Sequence, residues 1–472
     1  MKVLLVMPPN WGVEAPPLGL AYVSAALKLD HHEVKVVDYN LRIWHELKEK
    51  MPLAWAMDSF DQWTDEDLYD RTLAPVIDPL FQKLLGEIMT ENPDVVGFSH
   101  FLTSVHPVER ICRKIRKLFP KVKILMGGPQ VKDEYAEKIV RDNLADAAVI
   151  GEGEATTREI LRAWERGETG GRPILGAVVK GILPETILRA KDRPALEIDE
   201  LPLPDFSSYS LSHYLTRSLP FSMSRGCVKR CTFCAEAPFW KKYRVRSAGS
   251  IFQEMKEGRE NYGIRVFRSN DSLINGDFTV LEELVERLIE AKLDIHWQGM
   301  CRLDKRMTPE LLRKMKQSGC ELLFFGLESG SQKIADLMKK GVRIDDALQV
   351  IHDTHAAGIS ANVFIIVGFP RETWWDFLKT MHFLWKIRKK VYLANVSDAG
   401  LSPGAPMELR QKQFGIVEDS RFGGNWHDRF YLNTIYHRRL KLWLMRRYIQ
   451  FLRIAENKST QPMEVLFEAS GP

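Results

Sequence analysis

The stretch Phe221-Ser-Met-Ser224-Arg-Gly-Cys227-Val-Lys-Arg-Cys231-Thr-Phe-Cys234 decides how this chain is read. A short apolar run predicts a strand over 221–224. Three cysteines follow at once, spaced C-x3-C-x2-C, so all three thiols sit on one loop at the carboxyl end of that strand. Gly226, Lys229, Arg230 and Thr232 make the loop polar, and its two cations favour the thiolate form. Structural zinc is the competing use of such a loop. It normally needs four ligands, and the nearest further donor, His213, precedes Cys227 by fourteen residues, a poor fit to finger-like spacing. An iron–sulfur cluster is the better reading. Three ligands on a 4Fe-4S cluster leave one iron without a protein ligand, open to a substrate or cofactor. With only six cysteines in 472 residues, a disulfide scaffold is excluded.

Downstream, further strand candidates lie at Arg265–Arg268, Ile295–Cys301, Leu322–Phe325, Asn362–Val367 and Leu393–Val396. Helical patterns such as Leu281–Ala291 and Pro309–Ser318 separate them. Six β/α units are too few for a closed eight-stranded barrel and predict a partial (β/α)6 barrel of TIM type over 216–400, with its site at the strand carboxyl ends. Upstream, Val3–Met7, Val34–Val37, Val95–Ser99, Ile124–Met126 and Ala147–Ile150 read as buried parallel strands, and the residues around Leu20, Val23 and Leu27 as a helix between the first two. They predict a doubly wound, Rossmann-like α/β domain over 1–165, interrupted by a helical and loop insert at about 41–90. Gly and Pro become frequent over 166–215, which reads as a linker. Residues 401–472 read as a mainly helical, basic segment.

The loop Ser224-Arg-Gly-Cys227-x3-Cys231-Thr-Phe-Cys234 resembles the signature of radical SAM enzymes. The later motifs Phe267-Arg-Ser-Asn270-Asp271, Gly326-Leu-Glu328-Ser329-Gly330 and Val367-Gly368-Phe369-Pro370 fall in that family's order. The resemblance implies that Cys227, Cys231 and Cys234 hold a 4Fe-4S cluster. It also implies that S-adenosylmethionine is bound near Phe233, Asn270, Asp271, Arg302, Glu328, Ser329 and Gly368, and is cleaved reductively to a 5′-deoxyadenosyl radical. A doubly wound domain ahead of such a barrel resembles the cobalamin-binding radical SAM class, which includes methyltransferases and anaerobic magnesium-protoporphyrin ester cyclases. Pro9, Asn10, Ser99, Thr103, Gly127, Gly128, Gly151 and Glu152, at the carboxyl ends of the first-domain strands, are the implied cobalamin contacts. The usual D-x-H-x-x-G cobalt motif is missing. Asp30-His31-His32 lies before the second strand and reads as an ordinary turn, so the expected cobalamin has no histidine cobalt ligand. Cys112, Cys301 and Cys320 read as small core residues.

The resemblance thus implies methyl transfer to an unactivated carbon, with an oxidative cyclase or rearrangement as the close alternative and a non-catalytic iron–sulfur or cobalamin sensor as the distant one. A methylthiotransferase fits poorly, since Cys112 is the only cysteine before Cys227. The expected partners are a small-molecule or lipid-like substrate and a reductant such as flavodoxin or ferredoxin. A net charge of +5 is too mild for a dedicated nucleic-acid binder. Without a visible secretory signal or an apolar stretch long enough to span a bilayer, the expected location is the cytoplasm. The charge is uneven: residues 429–455 hold seven cations and no acid, interleaved with Leu440, Trp443, Met445, Ile449 and Phe451. That segment reads first as a helix packing an apolar face on the barrel with its cations in water, and second as a peripheral contact with an anionic membrane surface.

Overall fold

The computed structural model describes residues 1–56, 59–168, 172–183, 186–418 and 426–455. Contacts divide the chain into two units that meet in sequence at Arg217 and Ser218.

The first unit is built on a seven-stranded sheet of β1 (Lys2–Met7), β2 (Glu33–Asp38), β3 (Val95–Ser99), β4 (Lys123–Gly127), β5 (Ala147–Val149), β6 (Ala177–Lys180) and β7 (Ile187–Arg189), in the order β2-β1-β3-β4-β5-β6-β7. β1 to β5 are parallel. Val3 to Met7 are all buried, as a strand covered on both faces requires. Helices Leu18–Lys28, Val105–Leu118, Asp133–Arg141 and Gly153–Glu165 form the crossovers. The 41–90 insert folds into helices Phe60–Thr64, Glu66–Thr72 and Ala74–Glu91, which bury Trp63, Tyr69 and Phe81 against β1 and β3 residues such as Leu4 and Phe98. Residues 57–58 lie outside the described set.

Residues 166–215, expected as a linker, contribute β6 and β7, which extend the sheet antiparallel beyond β5. These strands are only four and three residues long and sit at an edge, so they carry too little apolar periodicity to stand out among the flanking glycines. Residues 169–171 and 184–185 of this stretch lie outside the described set.

The second unit holds a six-stranded, wholly parallel sheet in the order β15-β14-β13-β12-β11-β8. Its strands are β8 (Ser218–Phe221), β11 (Val266–Ser269), β12 (His296–Cys301), β13 (Cys320–Glu328), β14 (Ser360–Val367) and β15 (Leu393–Asp398). A small ladder pairs β9 (Ser224–Arg225) with β10 (Arg244–Val245), and another pairs β16 (Ile416–Glu418) with β17 (Trp426–Asp428). The first barrel strand therefore ends where the sequence placed its start. The cause is Asp271, whose buried carboxylate accepts the N–H groups of Met223 and Ser224 and pulls the chain out of the sheet after Phe221.

The expected helix at the carboxyl end is present as Ile435–Phe451 and packs on β15. Its faces are not divided as expected. Arg438 and Lys441 are buried, while Leu440, Trp443 and Phe451 are exposed. Lys441 Nζ lies 2.9 Å from Glu372 Oε2 and 2.6 Å from Asn433 Oδ1, so buried acceptors offset the cost of burying its charge. Residues 419–425 and 456–472 of the expected 401–472 segment lie outside the described set. No described helix is long and apolar enough to cross a membrane.

Candidate active site and cofactor ends

In the second unit the cysteine loop leaves the sheet through β9 and is pinned at its middle. Thr232 donates its N–H to the Met338 carbonyl at 3.0 Å, and its own carbonyl accepts the Met407 N–H at 2.7 Å. The thiols of Cys227 and Cys234 accept N–H groups of Lys229 and Glu236, each at 3.5 Å. Burial pushes the Cys231 thiol up, and the neighbouring charges of Lys340 and Arg302 work against it. Burial likewise raises Cys234.

Lys340 was not foreseen from the sequence. It stands on the turn after β13 and the helix Gln332–Leu337, with its ammonium 2.8 Å from Glu328 Oε1 and 5.7 Å from the centre of the Phe233 ring. Burial alone would pull its pKa down, but Glu328 and Cys231 more than compensate and hold it raised. Glu328 itself takes a left-handed φ of 63° where the register of β13 against β14 shifts, which turns its carboxylate toward Lys340. The only sequence hint was the Lys339-Lys340-Gly341 string after the Glu328 motif.

Arg302 is buried just past β12. Its guanidinium donates to the Gly341 carbonyl at 3.1 Å and lies 3.5 Å from Asp304. Asn275, also unforeseen, clamps the Arg302 backbone through two 2.9 Å bonds, one to its N–H and one to its carbonyl. Arg302, Glu328, Phe233 and the cysteine loop are therefore linked through residues 338–341.

The other expected contacts are placed differently. Asp271 is occupied by the protein: besides Met223 and Ser224 N–H it accepts the Ser224 hydroxyl at 2.9 Å and the Ser269 hydroxyl at 2.7 Å. Its role here is to shape the strand end from which the cysteine loop departs. Asn270 is exposed and continues the ladder by donating its N–H to Phe221. Ser329 is buried against the Thr380 hydroxyl at 3.2 Å. Gly368 has φ 74° and donates its N–H to Glu372 at 2.7 Å, and a Cβ there would lie 2.4 Å from the Arg438 side chain. Burial raises the Glu372 carboxyl despite its bond to Lys441. Cys301 and Cys320 are buried, and burial pushes both thiols up.

Three thiols on one loop match the donor set of a 4Fe-4S cluster, which spreads three thiolates over three irons. Among the described residues, no three His, Cys, Asp or Glu side chains converge to hold a single metal ion, as tetrahedral zinc would require.

In the first unit the expected contacts gather at one edge because β1, β3, β4 and β5 run parallel. Thr103 donates to the Asn10 carbonyl at 2.7 Å, the Trp11 and Phe101 rings stack at 4.1 Å, and His100 donates its N–H to the Gly127 carbonyl at 2.6 Å. Gly128 has φ 105°, and a Cβ there would lie 2.6 Å from the His100 backbone nitrogen, so only glycine fits. Gly151 is exposed with open space where a Cβ would stand. Pro9 is buried and Ser99 half-buried, while Glu152 accepts the Leu196 N–H at 3.1 Å. The edge offers open backbone beside Gly151, as a bulky flat ligand such as a corrin needs. The His100 ring is buried between Ser104 Oγ at 3.1 Å and Tyr135 Oη at 2.7 Å, and burial pushes it down to about 3. Asp30 and His32 lie at the opposite, amino end of the sheet, where Asp30 pairs with Arg158 and Arg162.

Comparison with known proteins agrees with this division. Residues 221–384 match the model of the radical SAM superfamily, and residues 62–161 match that of the B12 binding domain. An uncharacterized methyltransferase of Pyrococcus horikoshii is 26% identical, the alignment covering 90% of this chain and 85% of the relative. Cytidylyl-2-hydroxyethylphosphonate methyltransferase of Streptomyces wedmorensis is 28% identical, over 75% of this chain and 69% of the relative. Among solved structures, the radical S-adenosylmethionine methyltransferase TsrM from Kitasatospora setae, with cobalamin and a [4Fe-4S] cluster bound, shares the fold. The TM-score is 0.65 at 18% identity, covering 88% of this chain and 75% of that one. The chain therefore joins a B12 binding domain to a radical SAM domain, and its cofactors are cobalamin, a 4Fe-4S cluster and S-adenosylmethionine.

Proposed function

We propose that this radical SAM enzyme, with its B12 binding domain, transfers a methyl group to an unactivated carbon of a small-molecule or lipid-like substrate. The observation that carries the reading is the pairing of the two domains in a chain that aligns over nine-tenths of its length with a methyltransferase. When bound, the cluster supplies the electron for reductive cleavage of S-adenosylmethionine, and cobalamin carries a transferable methyl group.

The chain's own residues do the holding and orienting. Cys227, Cys231 and Cys234 would ligate three irons. Lys340 and Arg302 place positive charge beside the loop, which favours thiolate and the added electron over water-exposed alternatives. Phe233, with the Lys340 ammonium over its ring, packs beside the loop against the cluster that includes Ile334 and Met338. The Glu328 carboxylate, held by Lys340, has a second oxygen with which to accept a ligand hydroxyl or ammonium. Gly368, packed against the Arg438 side chain and bonded through its N–H to Glu372, fixes the turn after β14. In the first unit, the glycine-lined edge would seat the corrin, and the neutral, fully engaged His100 provides packing. A reductant such as flavodoxin or ferredoxin would supply the electron.

The test is anaerobic turnover of the cobalamin-loaded enzyme with methyl-labelled S-adenosylmethionine. Methyl transfer yields labelled product, S-adenosylhomocysteine and 5′-deoxyadenosine together. Formation of 5′-deoxyadenosine with no label in the product would move the enzyme to oxidative cyclisation or rearrangement. Absence of any cleavage under reduction would make it a sensor.

A further inference from the structure

Two helices of the second unit, Trp374–Ile387 and Ile435–Phe451, pack against each other. The Lys441 ammonium sits 5.3 Å from the Trp374 ring near one end of the pair. Their inner faces bury Phe377, Phe383, Leu384, Met445 and Ile449. Their other faces are unusual for helices that meet only water. Trp375 is 67% exposed, Trp443 53% and Trp385 48%, with Leu378, Leu440 and Phe451 also exposed. Four of the five tryptophans exposed among the described residues belong to these two helices.

Cations lie between the rings. Lys379, Lys386 and Lys389 are exposed on or just beyond the first helix, and Arg439, Arg446 and Arg447 on the second. The guanidiniums of Arg388 and Arg447 lie 4.2 Å and 5.8 Å from the Trp385 and Trp443 ring centres. Acids are nearly missing. Residues 374–390 contain one, Asp376, which is buried and bonded to Lys333, and 429–455 contain none. The two buried cations, Arg438 and Lys441, are held by protein acceptors, so the exposed ones carry the surface charge.

Tryptophan interleaved with Lys and Arg is the composition of the bilayer interface, where the ring sits at headgroup level and the cation meets a phosphate. We propose that the outer faces of these two helices dock the enzyme on a membrane surface rich in anionic lipid. A second copy of the chain is a poorer occupant, because it would set one cationic face against another. The docking surface is independent of which reaction the enzyme performs.

The test uses the purified full chain and sucrose-loaded vesicles, either of phosphatidylcholine alone or with phosphatidylglycerol added. Sedimentation with the phosphatidylglycerol vesicles, a blue shift of tryptophan emission, and release by salt are expected. The charge variant K386E/K389E/R447E is expected to weaken partitioning by about tenfold or more, given what each cation contributes at an anionic surface. W375A/W443A is expected to weaken it and abolish the blue shift, with S-adenosylmethionine cleavage in vesicle-free solution unchanged in both variants. These five substitutions all replace exposed side chains, and circular dichroism checks that both variants fold. No sedimentation, equal sedimentation with uncharged vesicles, or binding that survives both variants would overturn the proposal. So would a dimer in solution that either variant dissociates, since the occupant would then be a second copy.

Discussion

Both units present the carboxyl ends of parallel strands, but they furnish those ends differently. In the second unit the edge is chemically loaded: three thiols, a buried Lys340–Glu328 pair and a clamped Arg302. In the first unit the polar side chains at the edge are largely spent within the protein, as Thr103 on the Asn10 carbonyl and His100 on the Ser104 and Tyr135 hydroxyls, and what remains open is main chain at Gly151. A small cofactor that reacts must be held by charges and bonds at defined atoms. A large, flat one is held by fit over area. The contrast implies that the two ends fail independently and for different reasons.

Cys231→Ala should break the second end alone. Iron content is expected to fall from about four atoms per chain to near zero with reductive cleavage abolished, while corrinoid binding persists. Metal and corrinoid analysis of the same anaerobic sample checks both halves, and joint loss of cobalamin would refute independence. Lys340→Met should come next, costing about 3–5 kcal/mol because Glu328 is left buried without its partner. The double change Lys340→Met with Glu328→Gln should recover much of that loss in a denaturant titration, separating the pair's structural cost from its role in cleavage.

Gly128→Ala sharpens the other side. The added methyl meets the His100 backbone at a positive φ, so the loop between β4 and its helix must shift, at a cost of about 2–3 kcal/mol. Weaker cobalamin retention with unchanged iron is the expected pattern. The effect that is smallest at neutral pH, and grows only in acid, is one of protonation. His100 has its pKa depressed to about 3 by burial, so the neutral ring stabilises the fold above its unfolded value of 6.5. That contribution is lost as pH falls from 6.5 toward about 3, at up to ~1.4 kcal/mol per pH unit. Thermal melts of His100→Gln over this range should show a shallower acid slope.

The sequence made the second end legible through ligand spacing, because a cluster loop needs three thiols within a few residues. It did not reveal Lys340 or Asn275, whose partners lie 12 and 27 residues away and are brought close only by packing. Asp271 and Gly368 stood in recognisable motifs, yet the structure engages the first in shaping a strand end and the second against Arg438. In the first unit the parallel strands were readable from their continuous apolar runs, and β6 and β7 were not, since short edge strands carry no such run. The basic helix was visible by composition. Which cations would be buried was not, because the acceptors are set by packing: the Trp426 and Asn433 carbonyls for Arg438, and Asn433 together with Glu372, 69 residues back, for Lys441.

The Glu372–Lys441 bond spans 69 residues. During synthesis, the loop after β14 therefore emerges with an acid that has its Gly368 N–H but no cation until the helix Ile435–Phe451 has left the ribosome. The barrel's last turn is expected to stay open to proteases and chaperones through that interval, so folding of the second unit completes late and from its carboxyl side.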